Sequence, residues 1–409
     1  MMRRLIVIWT AITCLAGLAL SEAWGQDQAA FKLSGDVDAQ AITGAQNSVS
    51  VFQGVTPFSE VTAGGLIDGK LAFSRNYTTL GLFDFTFTED NVLDYHNGSK
   101  IETLSLLVNE LYADLNYGDL VFLRLGKQRL KWGAGFVYNP SDPVNPPKDP
   151  TALRAVREGV TALKVELITK PVSLMTFGVL YDALGQTGVG TRISTPLIPS
   201  TDLALSGYWS QSESWTAALN ASVAPLYEIP GWDTLQLWFE GCIYDKARYL
   251  SVSPSPPTGL NYSFLIGGTA TMPWVRTVLL TEYYHLSEGL DAGQTSGVYD
   301  GVRAGLLPQW YPELARRPAS LGSDYLFVSV TQPSLKDDGN LVFDKIGLLA
   351  SCLVNLADTS FFLTGGITTT FVKESEVDLT VTWANGGTGT EFGNALTSVA
   401  ATLDLKVFF

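Results

Sequence analysis

The sequence predicts an all-β fold, a transmembrane antiparallel β-barrel of about 16–18 strands with 18 as the best count. Three observations predict it. Apolar and polar residues alternate in segments of about ten residues, the length that a tilted strand needs to cross a bilayer. Short turns alternate with long connections. The chain ends on ATLDLKVFF, with apolar side chains on one face of the segment and polar ones on the other.

The first segment reads as a secretory signal peptide rather than as part of the fold. A basic start, Arg3-Arg4, precedes the apolar run Leu5 to Leu20, and the small-x-small pattern Ala23-Trp24-Gly25 follows. We predict cleavage of residues 1–25 and a single barrel domain over 26–409. Cleavage removes two arginines and one glutamate, so the formal charge changes from −14 to −15. We do not expect so acidic a chain to bind nucleic acid.

Period-two alternation defines the strands, because successive side chains of a strand point to opposite faces. In the first half of the chain Leu111, Ala113, Leu115 and Tyr117 alternate with Glu110, Tyr112, Asp114 and Asn116, and Thr161, Leu163, Val165 and Leu167 with Ala162, Lys164 and Glu166. The predicted strands in this half are 31–41, 65–76, 78–88, 105–117, 120–130, 159–169, 172–181, 188–195 and 201–210.

The second half continues the same pattern. Leu235, Leu237, Phe239, Gly241 and Ile243 alternate with Gln236, Trp238, Glu240, Cys242 and Tyr244, and Val377, Leu379, Val381 and Trp383 with Asp378, Thr380 and Thr382. The predicted strands are 214–224, 233–244, 262–272, 275–285, 322–331, 344–354, 359–369, 376–384 and 398–409.

The connections have two lengths. Tight turns are expected at 116–119, 170–171 and 273–274, and long loops at 43–64, 89–104, 131–158, 245–261 and 286–321. Short turns at one end of a barrel and long loops at the other are typical of outer-membrane barrels, whose short turns face the periplasm. A soluble sandwich would also alternate, but its outward face should be charged, whereas only 16% of these residues are charged.

The terminal stretch predicts the last strand, closing against the first. The apolar positions Ala401, Leu403, Leu405, Val407 and Phe409 end on an aromatic residue. This pattern resembles the terminal signature of bacterial outer-membrane proteins, which the barrel-assembly machinery reads. The resemblance implies that this machinery is a partner and that the location is the outer membrane of a diderm bacterium, in contact with its lipid.

One local motif stands out at LRLGKQRLKWGAGFVYNPSDPVNP, residues 123–146. Its first half alternates like a strand, and prolines then exclude regular structure. The matching positions Arg124, Gly126, Lys127, Gln128, Trp132, Gly133, Pro140, Asp142, Asn145 and Pro146 resemble a pattern in alginate-export porins and in a porin-like group of uncharacterised function. Alginate specificity does not follow, because an alginate channel should line its bore with many arginines and this chain is acidic.

These observations predict a channel for passive or facilitated diffusion of small hydrophilic solutes. Strand parity gives the expected lining of the pore: Asp84, Glu110, Asp114, Arg124, Gln128, Lys164, Glu166, Glu240 and Asp378. Loop 131–158 is the expected constriction, with Trp132, Tyr138, Asp142, Asn145 and Lys148. A structural alternative is that Arg124 and Gln128 pair with Glu110 or Asp114 on the neighbouring strand and hold the wall together.

Other functions stay open. A barrel-anchored surface adhesin or saccharide-binding, capsule-organising protein would carry its function in loops 286–321 and 131–158. An enzymatic barrel would need a base, and the two histidines, His96 and His285, are the candidates; we do not expect an enzyme. The sequence predicts no cofactor and no metal site. It leaves monomer and homo-oligomer equally open.

Overall fold

A computed structural model of the protein gives the backbone in segments. It describes residues 30–51, 61–75, 78–94, 99–117, 120–130, 132–145, 148, 150–151, 159–180, 187–196, 200–211, 214–224, 234–245, 259–272, 276–307, 314, 320–335, 343–370 and 373–409. The predicted signal peptide, residues 1–25, lies outside the described residues.

Within the described residues, eighteen strands make up the fold. They are β1 Ala30–Gln46, β2 Val61–Arg75, β3 Thr78–Asp94, β4 Ser99–Tyr117, β5 Val121–Gln128, β6 Val160–Ile168, β7 Ser173–Leu180, β8 Thr187–Thr195, β9 Thr201–Ser210, β10 Ser214–Val223, β11 Thr234–Tyr244, β12 Asn261–Met272, β13 Thr277–Leu286, β14 Asp324–Gln332, β15 Ile346–Asn355, β16 Phe361–Thr369, β17 Ser375–Asn385 and β18 Thr397–Phe408. A helix of twelve residues, α1 (Ala292–Arg303), lies in the connection between β13 and β14.

The sheet closes on itself. Every strand pairs antiparallel with its neighbours in the sequence, and β18 pairs with β1, with Val407 opposite Val37 and Leu405 opposite Ala39. Phe409 extends this ladder, because its N–H donates to the carbonyl oxygen of Gly35 at 2.9 Å. The predicted closure by the terminal stretch is therefore confirmed. A closed sheet leaves no edge strand. A barrel in lipid requires such closure, because unpaired backbone groups find no hydrogen-bond partners there.

The outward face is apolar. Leu115, Leu163, Leu205 and Leu405 are each more than two-fifths exposed, although they stand on strands. Around the end of the barrel opposite the chain termini, the loop end, the outward side chains include the aromatic residues Trp209, Trp215, Tyr262, Phe264, Tyr283, Phe361 and Trp383. An apolar band edged by aromatic residues is the surface that a membrane barrel presents to lipid.

The predicted strands correspond one to one with the observed ones, and the parity of their side chains is also confirmed where side chains are described. The prediction of a long loop at 89–104 is wrong. There β3 extends to Asp94 and β4 begins at Ser99, and the two residues pair with each other. Paired backbone groups in an extended hairpin replace the loop, which polar residues such as Asn91 had suggested.

On one side of the barrel, loops that pack against one another cover the loop end. Helix α1 begins with a capping box, in which Asp291 Oδ1 accepts from the N–H of Gln294. Its buried residues Tyr299 and Val302 pack against Val51, from the connection between β1 and β2. The sequence showed no long amphipathic pattern here, and the helix was not predicted. Within the described part of the chain, no helix is long and apolar enough to span a membrane.

Candidate functional site: a loop held across the barrel

The connection between β5 and β6 folds into the barrel and crosses it. Trp132 packs edge-on against Phe177 of β7, with ring centroids 5.1 Å apart. Farther along, Tyr138 stacks on Tyr284 of β13 at 4.4 Å. Because β7 and β13 are six strands apart in a ring of 18, these contacts span about a third of the circumference. We call the described residues of this connection, 129–130, 132–145, 148, 150–151 and 159, the inserted loop.

A buried carboxylate on β11 holds the middle of the inserted loop. Glu240 is fully buried and faces the lumen. Its Oε1 accepts hydrogen bonds from the backbone N–H groups of Ala134 and Gly135, and its Oε2 accepts one from the hydroxyl of Ser141 at 2.8 Å. A carboxylate can accept several donors at once, and bonds to an ionised acceptor are the stronger kind. Glu240 therefore fixes the loop to the wall.

A second carboxylate, on β13, repeats this arrangement. Glu282 is 1% exposed. Its two oxygens accept from the N–H groups of Phe136 and Val137, the latter at 2.7 Å, and from the indole N–H of Trp238 at 3.0 Å. Four consecutive loop residues thus donate their backbone N–H groups to two wall glutamates. The loop has no regular structure to satisfy those groups, and the wall supplies the acceptors instead.

Two glycines let the loop pass so close to Glu240. Gly133 has a φ of +81°, and a Cβ there would stand 2.8 Å from Oε1 of Glu240. A Cβ on Gly135 would stand 1.9 Å from the carbonyl oxygen of Tyr138. Both distances are shorter than real contacts. The two glycines of the Trp-Gly-Ala-Gly sequence therefore allow the loop to lie directly against Glu240 and to turn tightly at Tyr138.

The predicted constriction residues brace the loop. Asn145 donates from Nδ2 to the carbonyl oxygen of Leu130 at 2.6 Å and to Asp142 Oδ2 at 2.8 Å. Asp142 Oδ1 in turn accepts from the N–H of Asn145. Lys148 Nζ donates to the carbonyl oxygens of Gly135 and Phe136, at 2.6 and 2.7 Å. The five predicted residues thus lie in one folded unit, two of them as buried rings.

Apolar packing fills one side of the lumen. Around Tyr138 the buried residues of the inward faces of β11 to β15 form a single cluster with Val137 of the inserted loop and Phe392 of the connection between β17 and β18: Trp238, Leu265, Tyr284, Leu286, Tyr325, Phe327 and Leu353. The expected lining named polar residues only and did not include this apolar wall. The inserted loop and the loop-end segments bring the apolar side chains that cover it.

Charged side chains lie on the inward face of β4 to β6. Arg124 binds Asp114 through two hydrogen bonds, Nε to Oδ1 at 2.6 Å and a terminal nitrogen to Oδ2 at 2.8 Å, and its guanidinium stands 3.7 Å from the ring centre of Tyr112. Lys164 Nζ lies 3.4 Å from Glu166. The pairing of Arg124 with the neighbouring strand matches the structural alternative drawn from the sequence, and all four charged groups keep partial exposure.

Three of the predicted lining residues do not reach open water. Gln128 and Glu240 are fully buried under the inserted loop, and Asp378 is 2% exposed. Parity placed all three on the inward face correctly, but the prediction that they line an open bore is wrong because other groups cover them. Gln128 donates to the carbonyl oxygen of Ala162 at 3.0 Å rather than to an acid. The side chain of Asp84 lies outside the described residues.

Glu110 acts at the base of the inserted loop. Its Oε1 accepts from the backbone N–H of Arg129 at 2.9 Å, at the first loop residue after β5. Of the two acids predicted as possible partners of Arg124, Asp114 binds the arginine, and Glu110 accepts from the loop backbone instead.

A third buried glutamate joins three connections at the loop end. Glu391, between β17 and β18, accepts from the N–H of Leu321 and from Asn355 Nδ2, both at 2.9 Å, and from the hydroxyl of Tyr325 at 2.5 Å. Burial raises its pKa to about 7, the nearby Asp358 adds to the rise, and the bonds from these donors oppose it. Burial also raises the pKa of Tyr299 in α1 well above its ordinary value.

Sequence reasoning missed Glu282 and Glu391. The signal for Glu282 was available, since it is a lone acid on the same face of a strand as Tyr284, within an otherwise apolar and aromatic segment. Glu391 lies between Gly389 and Gly393 in a loop without periodicity, and nothing local distinguishes it. Within the part of the chain that the structure describes, no three acidic, histidine or cysteine side chains come together as a metal site.

This closed barrel with a loop folded across its interior is the architecture of a porin. No protein-family model and no curated protein matches the chain. Solved structures match nearly its whole length. OccK5 (OpdH) of Pseudomonas aeruginosa has a TM-score of 0.56 at 8% identity, covering 93% of this chain and 97% of its own.

Two further solved structures have a similar fold over nearly the whole chain. OccAB1 of Acinetobacter baumannii has a TM-score of 0.56 at 9% identity, covering 93% of this chain and 96% of its own. OccK11 (OpdR) of P. aeruginosa has a TM-score of 0.55 at 9% identity, with the same two coverages. These are outer-membrane porins. The chain therefore has the fold of a bacterial outer-membrane porin, and at such low identity the likeness concerns the fold alone.

Proposed function

We propose that the protein is an outer-membrane channel for the diffusion of small hydrophilic solutes. The observation that carries the proposal is the inserted loop, pinned across the barrel by Glu240 and Glu282. A barrel that served only as an anchor would need no such loop in its lumen. The polar groups of β4 to β6, such as Arg124 and Lys164, support a water-filled path beside the loop.

In this mechanism the inserted loop narrows the bore, and the charged side chains of the barrel wall supply the electric field inside it. Solutes pass between the inserted loop and the strands that it leaves uncovered. Paired charges on the wall replace part of the hydration shell of a polar solute without holding it, which a conducting pathway requires. The outer-membrane location, contact with lipid and export by the N-terminal segment belong to the same proposal, and so does the absence of enzymatic activity.

The surroundings of His285 favour a structural role over a catalytic one. Its Nδ1 lies 2.8 Å from Asp324 Oδ1, and its ring lies among Tyr262 and Phe264 in the outward aromatic girdle. The hydroxyl of Ser323 donates to Asp324 rather than to the histidine. The other histidine, His96, lies outside the described residues.

Planar-bilayer recording of the purified, folded protein tests the channel. We expect stepwise ohmic currents whose size scales with salt concentration. A folded barrel that inserts into the bilayer and passes no current would overturn the proposal and favour the adhesin alternative. Heat-denatured protein in the same detergent serves as the control for leakage.

We also propose that the terminal residues Ala401, Leu403, Leu405, Val407 and Phe409 are the segment read by the barrel-assembly machinery. Leu405, Val407 and Phe409 are exposed on the outward face of β18, where such machinery could contact them. Removal of Phe409 should lower the yield of folded barrel in assembly from purified machinery, while refolding from urea into detergent changes less. Equal losses in both assays would contradict the proposal.

A further inference from the structure

The strands that close the barrel carry a concentration of acids on their inward face. Asp36 and Asp38 lie on β1, Asp404 on β18, and Glu376 and Asp378 on β17. We call these five residues the seam cluster. Their inward direction follows from the alternation, because Leu403, Leu405 and Val407 are exposed on the outward face of β18.

The register brings the acids of the seam cluster together. Asp404 stands directly opposite Asp378, and Lys406 stands between Asp38 and Glu376. Side chains that oppose one another on neighbouring strands have Cβ atoms about 4.5–5.5 Å apart, and like charges in this position destabilise a sheet. With five carboxylates and one lysine, Lys406, the formal local charge is −4.

One carboxylate oxygen of the cluster lacks a partner. Asp38 is 7% exposed, and its Oδ1 has no hydrogen-bond donor in the structure. Its other oxygen lies 3.8 Å from Lys406 Nζ, a loose ion pair. Burying an unsatisfied charged acceptor is unfavourable, and a group of opposite charge supplied from the lumen would relieve it.

Polar and partly exposed side chains surround the seam cluster on the lumen side. Gln40 is exposed, and its Nε2 donates to Asp404 Oδ1 at 2.7 Å. The side chain of Lys406 is 25% exposed. The contacts of the inserted loop with β11 and β13 place its middle against a different part of the wall. The partly exposed members Asp36, Glu376 and Asp404 therefore border the uncovered part of the bore, whereas Asp38 and Asp378 are buried.

We infer that the seam cluster is a binding station for small monovalent cations on their way through the pore. This inference rests on the proposed channel and adds the class of solute that the bore favours. Rings or rows of acidic side chains select cations in this way.

Reversal potentials in a tenfold KCl gradient test the inference. The unaltered protein should pass K⁺ in preference to Cl⁻ by a permeability ratio of about threefold or more, as acidic wall charges act within the narrow part of a pore. The double substitution Asp38→Asn and Asp404→Asn keeps the shape of both side chains, and it should lower that ratio by about twofold or more.

Two further variants separate a field effect from a structural one. Lys406→Gln removes the lysine among the five acids and should move the ratio in the opposite direction, which a merely loosened wall would not do. Asp300→Asn removes one carboxylate charge on the exposed face of α1 and should leave the ratio unchanged.

The outcomes distinguish the two proposals. If the folded protein conducts but prefers Cl⁻ or shows no preference, the cation station is wrong and the channel stands. A preference for K⁺ that the double substitution leaves intact also overturns the station. If no current flows at all, the proposed channel itself fails.

Discussion

At the scale of single residues, buried glutamates organise the interior of this barrel. Glu240 and Glu282 accept the backbone N–H groups of an irregular loop, and Glu391 does the same for loop-end segments. A loop inside a barrel has backbone donors that neither lipid nor regular structure can satisfy. A carboxylate on a rigid strand satisfies two or more of them with a single side chain.

Replacing either wall glutamate should release the loop. Glu240→Gln or Glu282→Gln turns an acceptor for several N–H groups into an amide whose own NH₂ faces those donors. We expect each change to destabilise the loop's position by about 1–3 kcal/mol. Single-channel recording should show a larger or noisier conductance, and limited proteolysis should cut the loop faster.

Glu374→Gln is the control, because Glu374 is exposed in the connection between β16 and β17, away from the inserted loop. If Glu240→Gln and Glu282→Gln leave both readouts at the level of Glu374→Gln, the wall glutamates do not hold the loop.

At the scale of elements, the inserted loop depends on glycine where it approaches the wall. The Trp-Gly-Ala-Gly segment combines a buried ring, Trp132, with two positions that exclude a Cβ, Gly133 and Gly135. The sequence marked this segment as a break in the strand pattern. It did not show that the break serves a close approach to Glu240, since that residue lies more than a hundred positions away.

Gly135→Ala should displace the loop without changing any charge. The added methyl group would stand 1.9 Å from the carbonyl oxygen of Tyr138, so the turn has to move. We expect a lower melting temperature and altered conductance, measured by circular dichroism in detergent and by bilayer recording. Gly178→Ala is the control, because a Cβ at that strand position meets no atom within 4 Å; comparable effects of the two changes would contradict this account.

At the scale of the whole molecule, segments distant in sequence close one side of the loop end. Arg303 of α1 donates to the carbonyl oxygens of Val49 and Thr388, from the first and the last loop-end connections. Glu391 joins Leu321 and Asn355 in the same region. The cohesion of these loops therefore depends on a buried carboxylate whose pKa is about 7.

This cohesion should depend on pH. The pKa of Glu391 is raised from 4.5, so the closed loops bind a proton that an opened segment would release. The stabilisation is fully present below about pH 4.5 and is lost as the pH rises through about 7. Hydrogen exchange of residues 320–323 and 391–394 should accelerate across that interval.

Glu391→Gln keeps a hydrogen-bond acceptor and cannot ionise. In this variant the exchange rates of the same amides should change with pH only as far as the chemistry of amide exchange itself requires. Glu374→Gln, an exposed position at the opposite end of the barrel, is the control. An unchanged pH response in Glu391→Gln would show that another group controls these loops.

The sequence by itself determined the strands, their parity and the closure of β18 on β1. Alternation is a local property, and lipid on one side and a polar lumen on the other impose it on each strand separately. Leu405 and Glu240 were accordingly assigned to the correct faces. Only the tertiary structure decided which inward residues meet water, because the path of the inserted loop is set by Glu240 and Glu282, far along the chain. That path covers Gln128 and Glu240 and leaves Arg124 and Asp404 partly open.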